Sequence, residues 1–167
     1  MKSITMDPVS VPAGQIKETL EAHHILTNRY AEVFMAHPRF DPEAVEKTEV
    51  IIASLREIGL ENGGTLGEIF RQAAKRGYRP CPVNTGLFLR LAWKDQPPSA
   101  NSVLTGQYCS PDGAVTVLSE VLEPDDRFPK GLYLRNVDGQ LWLRGYVCDA
   151  DFRYAPEDLF AFDAGTV

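Results

Sequence analysis

Two alternating runs meet at Asp138-Gly139, with Leu132 and Leu134 before the dipeptide and Leu141 and Leu143 after it. Asp-Gly supplies the positive φ angles that a two-residue hairpin turn requires. A hairpin alone is marginal in water, so the chain must supply further strands or helices to cover it. Runs of period two recur around it and predict strands at about 102–108, 114–122, 131–136, 140–147 and 159–163. Ser110-Pro111-Asp112-Gly113 reads as a turn between the first two of these. Leu87, Leu89, Leu91 and Trp93 alternate with Phe88, Arg90 and Ala92, which predicts one more strand covered on both faces.

Before Pro82 the period is helical. Ile16, Leu20, His24, Thr27, Tyr30 and Phe34 fall on one stripe and predict a helix over about 12–36, stopped by Pro38. Asp41-Pro42 is a helix-start signal, and Val45, Thr48, Ile52 and Leu55 then predict a second helix ending at Gly59. Thr65-Leu66-Gly67-Glu68 is a capping box that opens a third helix, ended by Gly77.

The expected fold is therefore α+β. About three N-terminal helices (12–77) precede a five- to six-stranded, mainly antiparallel sheet or partly closed barrel (87–164). Residues 1–10 read as a flexible lead. The 167 residues suit a single domain with a full core. There is no repeat, and no apolar run approaches the about 18 residues of a membrane span. Three scattered cysteines, Cys81, Cys109 and Cys148, without a secretory leader read as reduced thiols in a cytoplasmic protein.

The net charge of −6 argues against nucleic acid as a partner. The charge is uneven. Residues 65–98 hold six Lys/Arg against two acids, so the stretch across the helix–sheet junction is the one positive part of an acidic chain. Arg71 and Lys75 lie on the third helix. Cys81 sits between Pro80 and Pro82, where neighbouring cations would favour a thiolate. Arg90 lies in an apolar run and needs solvent or a carboxylate, with Asp95 as the nearest partner in sequence and Gln96 beside it. These six residues, Cys81, Arg90, Asp95, Gln96, Arg71 and Lys75, are the candidate ligand-binding group.

Other chemistry finds less support. His23 and His24 are neighbours on a helix and point about 100° apart, so they do not share a metal ion. No metal or cofactor motif is present, nor a phosphate loop or nucleophile elbow. Asp125, Asp126, Asp149 and Asp151 supply loop carboxylates for acid–base work, but in proline-rich loops where acids are ordinarily solvated. Tyr133, Trp142 and Tyr146, with Arg135 and Arg144, mark the hairpin as a surface for core or partner contact.

Glu61-Asn62-Gly63-Gly64-Thr65-Leu66, Glu68-Ile69, Cys81-Pro82, Gly86, Leu89-Arg90-Leu91 and Asp95-Gln96-Pro97 together resemble a family of small uncharacterised bacterial proteins. The likeness extends through Leu141-Trp142-Leu143 and Asp158-Leu159-Phe160-Ala161-Phe162. It implies bacterial origin and a shared fold, and no mechanism. The expected function is a non-catalytic binding module. It would take an acidic protein segment or a small anionic ligand at the basic junction. The rivals are a small hydrolase or transferase using Cys81 or the loop acids, and an accessory subunit that docks through a sheet edge.

Overall fold

The computed structural model describes residues 1–7, 9–44, 46–100 and 110–165. Thirteen elements follow one another: β1 (Lys2–Met6), α1 (Ile16–Ala22), β2 (Leu26–Thr27), α2 (Arg29–Met35), β3 (Thr48–Ser54), β4 (Gly64–Thr65), α3 (Leu66–Lys75), α4 (Thr85–Ala92), β5 (Val115–Val117), β6 (Gly131–Val137), β7 (Gln140–Tyr146), β8 (Arg153–Tyr154) and β9 (Leu159–Asp163). The fold is α+β. Seven strands form one open sheet in the order β1-β3-β9-β5-β6-β7-β2, and β4 pairs with β8 apart from it. The sheet is mixed: β9–β5 and β7–β2 are parallel, and the other neighbours are antiparallel.

Each face of the sheet buries its own core. Val50, Ile52, Val115, Leu132, Leu134 and Leu143 face Phe34 of α2 and Leu87 and Leu89 of α4. Ala53, Phe160 and Phe162 face Leu66, Ile69 and Ala73 of α3. The alternation Phe160-Ala161-Phe162 sends successive side chains to opposite cores, as the pleat requires.

The Asp-Gly turn is where the sequence places it. Asp138 has φ 51° and Gly139 φ 95°, and Val137 pairs with Gln140 across the turn. The capping box is also present: Glu68 N donates to Thr65 Oγ1 at 3.3 Å, and Thr65 N donates to Glu68 Oε2 at 2.8 Å.

Four expectations are corrected. The first helix is two short helices with β2 between them. Asn28 divides them: its Oδ1 accepts from Ala31 N at 2.9 Å and from Gly145 N at 2.8 Å, and its Nδ2 donates to Gly145 O at 3.0 Å. One side chain thus caps α2 and pairs with the edge of β7, and the local stripe yields to that contact. The second helix is replaced by β3. Thr48, Val50, Ile51 and Ile52 are β-branched and fit a pleated strand between β1 and β9. Asp41 closes only a local turn, accepting from Glu43 N at 2.9 Å. Residues 87–93 lie in helix α4 and its C-terminal cap, not in a strand. Leu87, Phe88, Leu89 and Arg90 are buried in succession, so this helix is covered around most of its circumference and its period carries little signal. Residues 2–6 are an edge strand paired with β3, not a lead. Helices and strands therefore do not divide at Pro82. The expected strand at 114–122 is the shorter β5, and the one at 102–108 lies outside the described residues.

Candidate functional site

Five of the six candidate residues occupy three separate places, and Asp95 belongs to none of them. Arg71 and Lys75 are exposed on the outer face of α3, one turn apart. They line an open groove of about 400 Å3 with the turn at 59–63, Glu68, Gln72 and Arg153. The turn is fastened to α3 from beneath, because Gln72 Nε2 and Arg76 Nε both donate to Ile58 O, at 2.7 and 2.8 Å. Gly63 is required here. Its φ is +70°, and a Cβ would lie 2.0 Å from Tyr154 O on β8.

The electrostatics of the groove favour an anion. Glu68 is engaged twice, by Thr65 N and by Arg153 at 3.2 Å. The Thr65 hydrogen bond, then the charge of Arg153 and last that of Arg71, hold its carboxyl below the ordinary range. Glu61 pairs with Arg56 at 3.1 Å. Both acids of the groove thus have cations, while Arg71 and Lys75 form no ion pair among the described residues.

Cys81 is elsewhere. It is 2% exposed and belongs to the core beneath α4. Its N donates to Leu118 O at 2.7 Å, and its Sγ lies 3.7 Å from Ala161 O. Burial, reinforced by the charge of Asp163, pushes the thiol well above its usual range. A thiolate nucleophile needs the opposite environment.

Arg90 and Gln96 form a third, buried place. Arg90 is fully buried. Its Nη1 donates to Gln96 Oε1 at 2.6 Å and to Arg135 O at 3.2 Å, and its Nη2 donates to Trp93 O. Gln96 Nε2 donates in turn to Gly113 O and Leu134 O, both at 3.1 Å. The guanidinium is solvated by neutral oxygens, and burial lowers its pKa to about 10. Asp95 is exposed and does not take part. This cluster fastens residues 93–99 to β6 and has no open face for a ligand.

Two of the loop acids, Asp125 and Asp149, are engaged in turns. Asp125 pairs with Arg127 at 3.0 Å, and Asp149 Oδ1 accepts from Asp151 N and Phe152 N at 2.9 and 2.8 Å. Among the described residues no three His, Cys, Asp or Glu side chains gather as a metal site would require. No helix among them is long and apolar enough to cross a membrane. Sequence reasoning found Arg71 and Lys75 through the basic run. It missed Arg153, which reaches the groove only because β8 pairs with β4.

Comparison with protein-family models, with curated proteins and with solved structures finds no match to this chain.

Proposed function

We propose that this chain is a non-catalytic binding protein of the bacterial cytoplasm, and that the α3 groove seats an acidic segment of a partner protein. The observation that carries the reading is the pair Arg71 and Lys75. They are exposed, on one helical face, and left without ion pairs beside two carboxylates that already have cations. The groove is open along the helix, which suits an extended chain with several carboxylates. The hydrolase reading has less support, since the Cys81 thiol is sealed and two of the loop acids, Asp125 and Asp149, close turns. The bacterial origin rests on the family resemblance.

The test is fluorescence anisotropy with a labelled oligoglutamate peptide. Binding should weaken steeply as salt is raised through about 0.1 M, where the screening length is about 10 Å. Arg71→Glu with Lys75→Glu should abolish it while leaving the circular dichroism spectrum unchanged. A small anion such as citrate competing at equal charge would shift the reading to a small-ligand site. Binding indifferent to the double reversal would overturn it.

A further inference from the structure

The large sheet ends on two unlike edges. At one end β2 is two residues long. At the other, β1 is a five-residue strand whose register with β3 runs unbroken, from Lys2 opposite Ile52 to Met6 opposite Thr48. In an antiparallel pair every second residue turns its N–H and C=O away from its neighbour. On β1 those groups face outward. Among the described residues no backbone bond reaches residues 2–6 from any segment other than β3.

Strand edges are ordinarily blunted by brevity, by proline, by a bulge or by charge. β2 is blunted by its length. β1 holds no proline, and its register shows no bulge. Its single charged side chain, Lys2, is drawn off the edge, with the ammonium 4.7 Å from the centre of the Trp93 ring. Ser3 and Thr5 are exposed on the other face, and Ile4 in the middle is half-buried.

The order of residues along β1 suits a second copy of itself. Antiparallel pairing about Ile4 sets Ile4 against Ile4, Ser3 against Thr5 and Lys2 against Met6 of the second copy. No like charges meet, and apolar and hydroxyl pairs are favourable across strands. A parallel pairing in register would set Lys2 against Lys2. The antiparallel contact is also isologous, so it closes and leaves only the short β2 edges at the ends of the joined sheet.

We propose that β1 is a self-association edge, through which two copies of this chain pair antiparallel about a two-fold axis at Ile4. The contact is separate from the α3 groove, none of whose lining residues lies on β1. Two paired strands of this length form an interface at the small end of the specific range, below about 1,200 Å2, so the dimer dissociates with a constant on the order of 0.1 mM.

Sedimentation velocity across about 10 µM to 1 mM should show the mass rise from one chain towards two. Amide hydrogen exchange at the two ends of that range should slow at least about threefold for the outward amides of β1 and stay unchanged for β2. Ile4→Lys and Ile4→Glu should each keep the wild-type circular dichroism spectrum and remain monomeric, because like charges would meet at the axis. Mixed in equal amounts, the two variants should associate again, since the introduced charges then oppose each other. The exchange measurement, made on the wild type, decides the matter if neither variant folds. A chain still monomeric at about 1 mM, leaving the edge to a strand of another protein, would refute the proposal. So would a dimer whose β1 amides exchange as fast as in the monomer, or folded variants whose mixture stays monomeric.

Discussion

The Arg90 guanidinium donates to the Gln96 side-chain carbonyl at 2.6 Å, so the most deeply buried cation of the chain is held by a neutral amide. The Gln96 side chain also donates to Gly113 O and Leu134 O, and the Gln96 backbone carbonyl accepts from Asn136 Nδ2 at 2.7 Å. Removing the side-chain amide takes a partner from three groups at once: Arg90 Nη1, Gly113 O and Leu134 O. Gln96→Leu should therefore destabilise the fold by about 3 kcal/mol, since each unsatisfied buried group costs about 1–3 kcal/mol. Gln96→Glu is the sharper test. A carboxylate would gain the charge of Arg90 but would face two carbonyl oxygens with no hydrogen to give. Urea denaturation at pH 7 should show Gln96→Glu less stable than wild type; a more stable variant would mean that Arg90 lacks only a counter-charge.

Gly145 is fixed by close approach. A Cβ there would lie 2.4 Å from Tyr30 C and 2.6 Å from Ala31 N, both backbone atoms of α2. Asn28 holds that approach through its two bonds to Gly145. Gly145→Ala should cost about 3 kcal/mol or more, because the helix rather than a side chain must move. Gly139→Ala meets nothing within 4 Å and carries only the strain of φ 95°, so it should cost about 1–2 kcal/mol. Thermal melts of the two variants should preserve that order.

Thr65 closes the capping box under the binding groove. Thr65→Ala removes the acceptor for Glu68 N, and should cost about 1 kcal/mol by chemical denaturation. The Glu68 carboxylate keeps both of its partners, because Thr65 N is a backbone donor that the substitution leaves in place. Affinity for the oligoglutamate peptide should then fall only modestly, because Arg71 and Lys75 remain.

What could be read from the chain was what is decided locally. The α3 capping box and the Asp138-Gly139 turn each fix a backbone geometry within four residues, and both stand where the sequence sets them. The segments decided by tertiary contact went otherwise. Thr48–Ser54 follows a good helix start, yet it gains two strand neighbours and becomes the second strand of the sheet. Thr85–Ala92 is buried at six successive positions, Thr85 to Arg90, so its apolar residues mark no single face that would separate helix from strand. The site divided in the same way. Arg71 and Lys75 are one turn apart in a helix that the sequence shows. Asp95 was the carboxylate nearest to Arg90 in sequence, but the fold turns it to solvent and brings Gln96 inward.

Cys81 gives the protein a pH dependence whose sign follows from burial. In the unfolded chain the thiol titrates near about 8.5. In the folded chain burial, then Asp163, keeps it protonated well above that value. Below about pH 8.5 both states hold the proton and the thiol contributes no slope. Above it the unfolded state releases a proton that the folded state retains, so stability falls as pH rises, by about 1.4 kcal/mol per pH unit. Cys81→Ala lowers stability at pH 7 through the small cavity it leaves, but should flatten the curve between about pH 8.5 and 10.5 by close to one proton. The same burial predicts that peptide mapping after iodoacetamide treatment of the native protein at pH 7 finds Cys81 unmodified, and that unfolding in urea exposes it. Rapid native labelling below pH 7 would instead show an accessible thiolate and return the Cys81 hydrolase to consideration.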